Sequence, residues 1–219
     1  MTLGKTALAL AAVLAAASAG TPPLQAETAM QAPAMYKSTE TAAYVVERSD
    51  GMVEIRRYDP RIIAEVTVTG SRTAAINTGF RVLAGFIFGG NTAKAKVAMT
   101  APVAQSATEK IAMTSPVSQT GDANGWTVQF TMPAAYTMLT LPAPTDSRIK
   151  IVEHPGDRQV ALQFSGMAGT EVLAAKEAEL RAWALANGLT PGAGPHYYFY
   201  DAPFTLPWNR RNEVAFTLN

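Results

Sequence analysis

The chain contains no cysteine. Disulfides, cysteine-ligated zinc, iron–sulfur clusters, a lipid-modified cysteine and thioether-linked cofactors are therefore excluded. Histidine is scarce: His154 and His196 are the only two, and they share no metal-ligand spacing. His154 lies in a His-Pro-Gly-Asp turn, and His196 opens the run Tyr197-Tyr198-Phe199-Tyr200, so an exposed turn residue and a packed strand-end imidazole are the simplest readings. Charge of one sign is missing as well. The formal net charge is +1, and no basic surplus marks a nucleic-acid partner. Beyond the first twenty residues no apolar run is long enough to cross a bilayer. Enzyme signatures are absent too. Phe164-Ser165-Gly166-Met167-Ala168-Gly169 lacks the spacing of a nucleophile elbow, and there is no P-loop or dinucleotide fingerprint.

What is present is a chain of 219 residues, 48% hydrophobic, enough for one domain with a full core. Its first stretch reads as a targeting segment. Lys5 supplies a minimal positive region, Thr6 to Ala17 is unbroken small and apolar sequence, and Ala17-Ser18-Ala19 offers a cleavage site. Residues 1–19 are thus expected to be a signal peptide, and the mature protein periplasmic or secreted. Residues 20–43, with Pro22, Pro23 and Pro33 among Ala, Thr and Gln, read as a flexible leader. The fold is expected over 44–219.

Within it, Val97-Ala98-Met99-Thr100-Ala101-Pro102-Val103 recurs fourteen residues later as Ile111-Ala112-Met113-Thr114-Ser115-Pro116-Val117. Both copies alternate with period two, predicting two strands with apolar faces that carry Met99 and Met113, joined as a hairpin through Ala104 to Lys110. Each proline lacks an N–H for a ladder, which predicts a bulge or edge there. More widely, Val53–Tyr58 and Arg61–Thr69 read as strands, Ser71 to Phe88 as a helix stopped by Gly89-Gly90, and the Met-Thr-x-Pro segments close a first half. Arg148–Glu153, Gln159–Ser165, a helix from Thr170 to Asn187 ended by Gly188, and strands Tyr197–Asp201 and Asn212–Leu218 repeat that order. Trp126–Met132 adds a strand, and Pro133 to Asp146 connects the halves. The duplication predicts an α+β fold: antiparallel sheet, two helices on it, and a pseudo-two-fold axis.

Four motifs come in a fixed order: Val53-Glu54-Ile55-Arg56-Arg57-Tyr58-Asp59-Pro60; Ala75-Ile76-Asn77-Thr78-Gly79-Phe80; Gly89-Gly90-Asn91 with the Met-Thr-Ala-Pro-Val strand; and Asn209-Arg210-Arg211-Asn212-Glu213-Val214. In this order they resemble the SOUL haem-binding protein family from about Tyr44 to Leu218. The resemblance implies a distorted β-barrel carrying two helices, related to effector-binding domains of multidrug-sensing regulators. It also implies a non-covalent haem or other tetrapyrrole ligand in a shallow apolar groove between the first helix and the loop before the last strand.

The residues bear on that groove. Ile76, Phe80, Leu83 and Ile87 form the core stripe of the first helix, while Val82, Gly85 and Phe86 extend apolar character to a second side beside Thr78 and Arg81. Phe86 is therefore either part of a ligand surface or the rim of a wide core stripe. Phe204, Leu206 and Trp208 stand on the proline-braced loop Ala202 to Arg210, as a ligand wall or as a lid packed on the sheet. Some relatives carry a histidine, proposed to bind the haem iron, where this chain has Arg57, so axial histidine ligation from that strand is ruled out. Propionates would instead meet Arg81, Arg57 or Arg210. Covering on the order of 400 Å² of macrocycle is worth about 10 kcal/mol; after the cost of association, roughly micromolar affinity remains. That suits carriage or buffering by a monomer. Glu213 supports another reading, a sensor or scavenger of amphipathic or cationic molecules, or else a cross-strand ion pair with a nearby Arg.

Overall fold

A computed structural model describes residues 34–94, 108–122, 124–192 and 195–218. The expected signal peptide, most of the leader and the first Met-Thr-Ala-Pro copy, with Met99, lie outside the described residues.

Two short strands come first, β1 (Ala34–Tyr36) and β2 (Thr39–Thr41). They pair antiparallel, and β2 runs parallel to β7 (Thr114–Ser115), so the end of the expected leader is a structured hairpin. The body follows: β3 (Tyr44–Asp50), β4 (Val53–Tyr58), β5 (Arg61–Val68), α1 (Arg72–Ile87), β6 (Asn91–Thr92), and after β7, β8 (Val117–Asp122) and β9 (Gly125–Thr131). The second half contains β10 (Ala143–Pro144), β11 (Lys150–His154), β12 (Asp157–Phe164), α2 (Thr170–Ala186), β13 (His196–Phe199), a 3-10 turn at Pro207–Asn209 and β14 (Asn212–Thr217).

Nine strands form one antiparallel sheet in the order β11-β5-β9-β8-β13-β14-β12-β4-β3. It curls into a half-barrel rather than closing. With β3 set aside, the order read inward from either end is β11-β5-β9-β8 and β4-β12-β14-β13, so the duplication is visible in the pairing. The first strand of each half is lent to the other: β4 pairs with β12, and β11 pairs with β5. The halves meet where β8 pairs with β13, Val117 opposite Phe199.

Each helix covers its own half. Ser71 caps α1, its hydroxyl accepting from the Ala74 N–H at 3.4 Å, and Gly89 ends the helix at φ +120°. Ala75, Gly79, Leu83, Phe86 and Ile87 are its buried residues, packed over β5 and β9 with Val66, Val128 and Phe130. Ile76 and Phe80, expected on the core stripe, are half-buried; the Phe80 ring meets Phe130 edge-on at 5.6 Å. The buried face is rotated because Gly79, not a large residue, sits against β9. On the other half, α2 buries Leu173, Leu180 and Ala184 against Val160, Leu162, Val214 and Phe216.

The second Met-Thr-Ser-Pro segment departs from its expected alternation. Ile111 is buried, but Met113 is 41% exposed, and the chain leaves the small sheet at Ser115 to join the large one at Val117. Pro116 stands at the break, where it has no N–H to donate.

Candidate functional site

A groove of about 500 Å³ runs along the C-terminal half of α1. Thr78, Arg81, Val82 and Phe86 line one wall. Their spacing over two turns brings them to one side of the helix. Phe86 is only 1% exposed and packs with Leu83 and Ile87, so it is a core residue that also forms the groove floor. Beside it, Gly85 opens the wall. A Cβ added there would have no neighbour within 4 Å.

The opposite wall is Thr145, Asp146 and Arg148, from the segment leading into β11. Local contacts explain its position. Gly90 approaches so closely that a Cβ would lie 2.7 Å from the Gly85 carbonyl oxygen. The chain then enters β6, which pairs with β10, Asn91 opposite Pro144. Buried Asn91 donates to the Phe86 carbonyl at 2.7 Å, and the Thr145 N–H and hydroxyl both donate to the Gly90 carbonyl. The wall is thereby fastened to the end of α1. Asp146 and Arg148 form a two-point ion pair, Nε to Oδ1 at 3.0 Å and Nη2 to Oδ2 at 2.6 Å. Those bonds hold the Asp146 carboxyl down at about 2 and raise the Arg148 guanidinium above its usual range. Arg81 donates through Nε to the Asn77 carbonyl, one turn back.

The pseudo-symmetry makes this opening distinctive. The segment before β4 lies against α2 as the segment before β11 lies against α1. There Trp183 of α2 donates to Asp50 at 3.0 Å, and the Arg48 guanidinium stacks on the Trp183 ring at 5.3 Å. An indole bridges helix and turn on α2, where α1 has Gly85 and open space.

The other nominated residues lie apart from this groove. Arg57 is largely exposed on β4 and pairs with Glu47 on β3. Phe204, Leu206 and Trp208 do not form the second wall. Their loop rests on the β12–α2 turn, the Gly166 N–H donating to the Pro207 carbonyl at 2.9 Å, and Phe204 is 90% exposed. Neither a wall nor a packed lid describes it. Arg210 braces that loop, donating to the Thr205 carbonyl at 2.7 Å and to Pro203. Sequence reading does not reveal the second wall, because Pro133 to Asp146 reads as a connection and Arg148 as the start of a strand; the Asp146-Ser147-Arg148 spacing is the available signal.

Glu213 lies elsewhere, on the face of the sheet turned away from the helices. It is fully buried, with Arg56 donating to both its oxygens at 2.7 and 3.0 Å and Arg211 donating at 2.6 Å. Tyr200 donates to it at 3.1 Å, and the Arg56 guanidinium lies 4.6 Å from the Tyr44 ring centre. The carboxylate considered for a foreign cation holds the chain's own. His196 is half-buried on β13, its Nε2 3.2 Å from the Thr217 hydroxyl. His154 is close to Asp157, Nδ1 to Oδ1 at 3.9 Å.

No curated protein matches this chain. Among solved structures it is similar to the EcmrR C-terminal domain, at 10% identity and TM-score 0.54, covering 76% of this chain and 96% of that one. A conserved protein from Listeria innocua aligns at 15% identity and TM-score 0.50 over 76% and 92% of the two chains. A hydrolase from the same organism aligns at 15% and 0.49 over 79% and 94%. The first two likenesses are of fold. Residues 39–217 match the model of the SOUL heme-binding protein family, and the chain belongs to that family.

Proposed function

We propose that the groove on α1 binds haem or another tetrapyrrole non-covalently, and that the protein is an exported, monomeric carrier or buffer of that pigment. One observation carries the reading. Four of the side chains nominated from sequence, Thr78, Arg81, Val82 and Phe86, line a single opening of a size usual for small-molecule sites. The flat face of the macrocycle would lie on Val82 and Gly85, above the buried Phe86. Its carboxylates would meet Arg81 and Arg148 by charge-assisted hydrogen bonds, with Thr78 and Thr145 at hand. Asp146 keeps Arg148 positioned.

The chemistry of the lining favours holding over reacting. Its titratable groups are Arg81, Asp146 and Arg148, and Asp146 stays ionised beside Arg148. Asp146 therefore offers no proton exchange near neutral pH. The cationic-ligand reading through Glu213 is weaker, since Arg56 and Arg211 already neutralise that carboxylate. Export rests on Lys5, the Thr6 to Ala17 run and Ala17-Ser18-Ala19.

Titrating the protein with hemin should give a saturable Soret shift near one equivalent. Gly85→Leu places a side chain in the opening from a position where a Cβ meets no neighbour within 4 Å, and should weaken binding about tenfold or more, the effect of roughly 1.4 kcal/mol of lost contact. Absorbance that rises without saturation into the tens of micromolar, or equal affinity in the variant, would overturn the assignment.

A further inference from the structure

We infer that the loop between β13 and β14 docks this protein on an anionic lipid surface. Phe204 is 90% exposed, Trp208 70%, Met167 61% and Leu206 52%. Single exposed apolar residues need no explanation, but four on two segments joined by hydrogen bonds do. The Gly166 N–H donates to Pro207, and Asn212 donates back to the Gly166 carbonyl at 3.1 Å, tying the Met167 turn to the loop.

The exposure is built in rather than loose. Pro203 and Pro207 restrict the backbone, and the Thr205 N–H donates to Ala202, Asn209 to Leu206 and Arg210 to Pro207. The Arg210 guanidinium adds bonds to Thr205 and Pro203 and reaches the Met167 sulfur at 3.5 Å. These backbone bonds and the Arg210 guanidinium hold the loop together from within, while Phe204, Leu206 and Trp208 stay exposed.

Charge selects the occupant. Residues 202–210 and 165–169 contain no Asp or Glu. Asp201, at the base, receives hydrogen bonds from Tyr36, Lys37 and the Arg211 N–H. Lys37 is paired with Asp201 and Arg211 with Glu213, which leaves Arg210, bonded among the described residues only to carbonyls and the Met167 sulfur, as the uncompensated cation beside the apolar tip. Size argues the same way. Four side chains offer on the order of 500 Å², well short of the roughly 1,200 Å² of a small stable protein interface. Shallow insertion of Trp, Phe and Leu at a headgroup boundary, with a basic residue above, needs no more. The loop thus serves a different partner from the groove on α1.

The test compares the chain with its Phe204→Ser/Trp208→Ser variant, which shares every other residue, N-terminal segment included. Vesicles of phosphatidylcholine alone and of phosphatidylcholine with about a third phosphatidylglycerol are the probes. The parent should sediment with the anionic vesicles with about tenfold preference, lose it at high salt, and shift its tryptophan emission to the blue. The variant should do none of these while melting at the parent's temperature. Equal sedimentation of parent and variant would overturn the proposal. So would a parent dimer that the variant breaks, or a variant that loses saturable hemin binding yet still sediments.

Discussion

Two glycines of α1 show how much a single hydrogen-for-methyl exchange decides. At Gly79 a Cβ would fall 2.5 Å from Val128 Cγ2 and 2.6 Å from its Cβ, so the helix sits against β9 only because that position has no side chain. Gly79→Ala gains about 1 kcal/mol of helix preference, yet overpacking costs about 1–3 kcal/mol, and the net should be a loss. Gly85→Ala meets nothing and should raise stability by about 0.5–1 kcal/mol. Urea midpoints of the two variants should therefore move in opposite directions; a stabilised Gly79→Ala would mean that the helix does not bear on Val128. Sequence reading could not separate these glycines, since which of them meets a strand depends on how the helix packs on β9. Nor could it decide Phe86, because helical spacing places a residue on a side but does not say how deep that side lies. The same holds for Glu213. The ion-pair reading is the one observed, but its partner Arg56 is 157 positions away and comes near only once β12 has paired with both β4 and β14.

At the scale of elements, local chemistry was readable. Ser71 and Gly89 bound α1, and Gly188 at φ +71° ends α2, because caps are decided by a few neighbouring residues. Strands Val53–Tyr58 and Gln159–Ser165 were recognisable from the Asp59-Pro60 and His154-Pro155-Gly156-Asp157 turns beside them, and the latter differs from β12 only at its ends. Elements held by distant partners were not. The hairpin β1–β2 looks like leader because its composition is leader-like; its order comes from β7 and from Tyr36, which meets Tyr200 edge-on at 5.1 Å. The Thr145–Arg148 wall escaped for a similar reason, its place being set by a two-residue pairing with β6.

For the whole molecule, acid should act in two stages. Burial lowers the pKa of His196 below its usual 6.5, with Arg61 adding to the effect, and burial likewise lowers His154. The unfolded chain then takes up these protons first, so stability is flat above about pH 6.5 and falls below it by up to ~1.4 kcal/mol per pH unit for each histidine. Glu213 is the opposite kind of group. Burial would raise its pKa, but the hydrogen bonds and charge of Arg56, with Arg211, bring it below its usual 4.5. Its contribution is complete above about 4.5 and is lost as pH falls through the lower folded value. Thermal midpoints taken from roughly pH 8 to pH 3 should show both declines. His154→Gln/His196→Gln should remove the upper one and leave the lower; an unchanged upper stage would show that other groups cause it.

The exchange of first strands between the halves carries a topological consequence. A backbone cut in the Pro133 to Asp146 connection would leave each fragment holding the piece that its counterpart lacks, like two clasped hands. Expressed singly, either fragment should remain unfolded; mixed or co-expressed, they should reassemble without a covalent link. A fragment that folds alone would mean that the borrowed strand is dispensable.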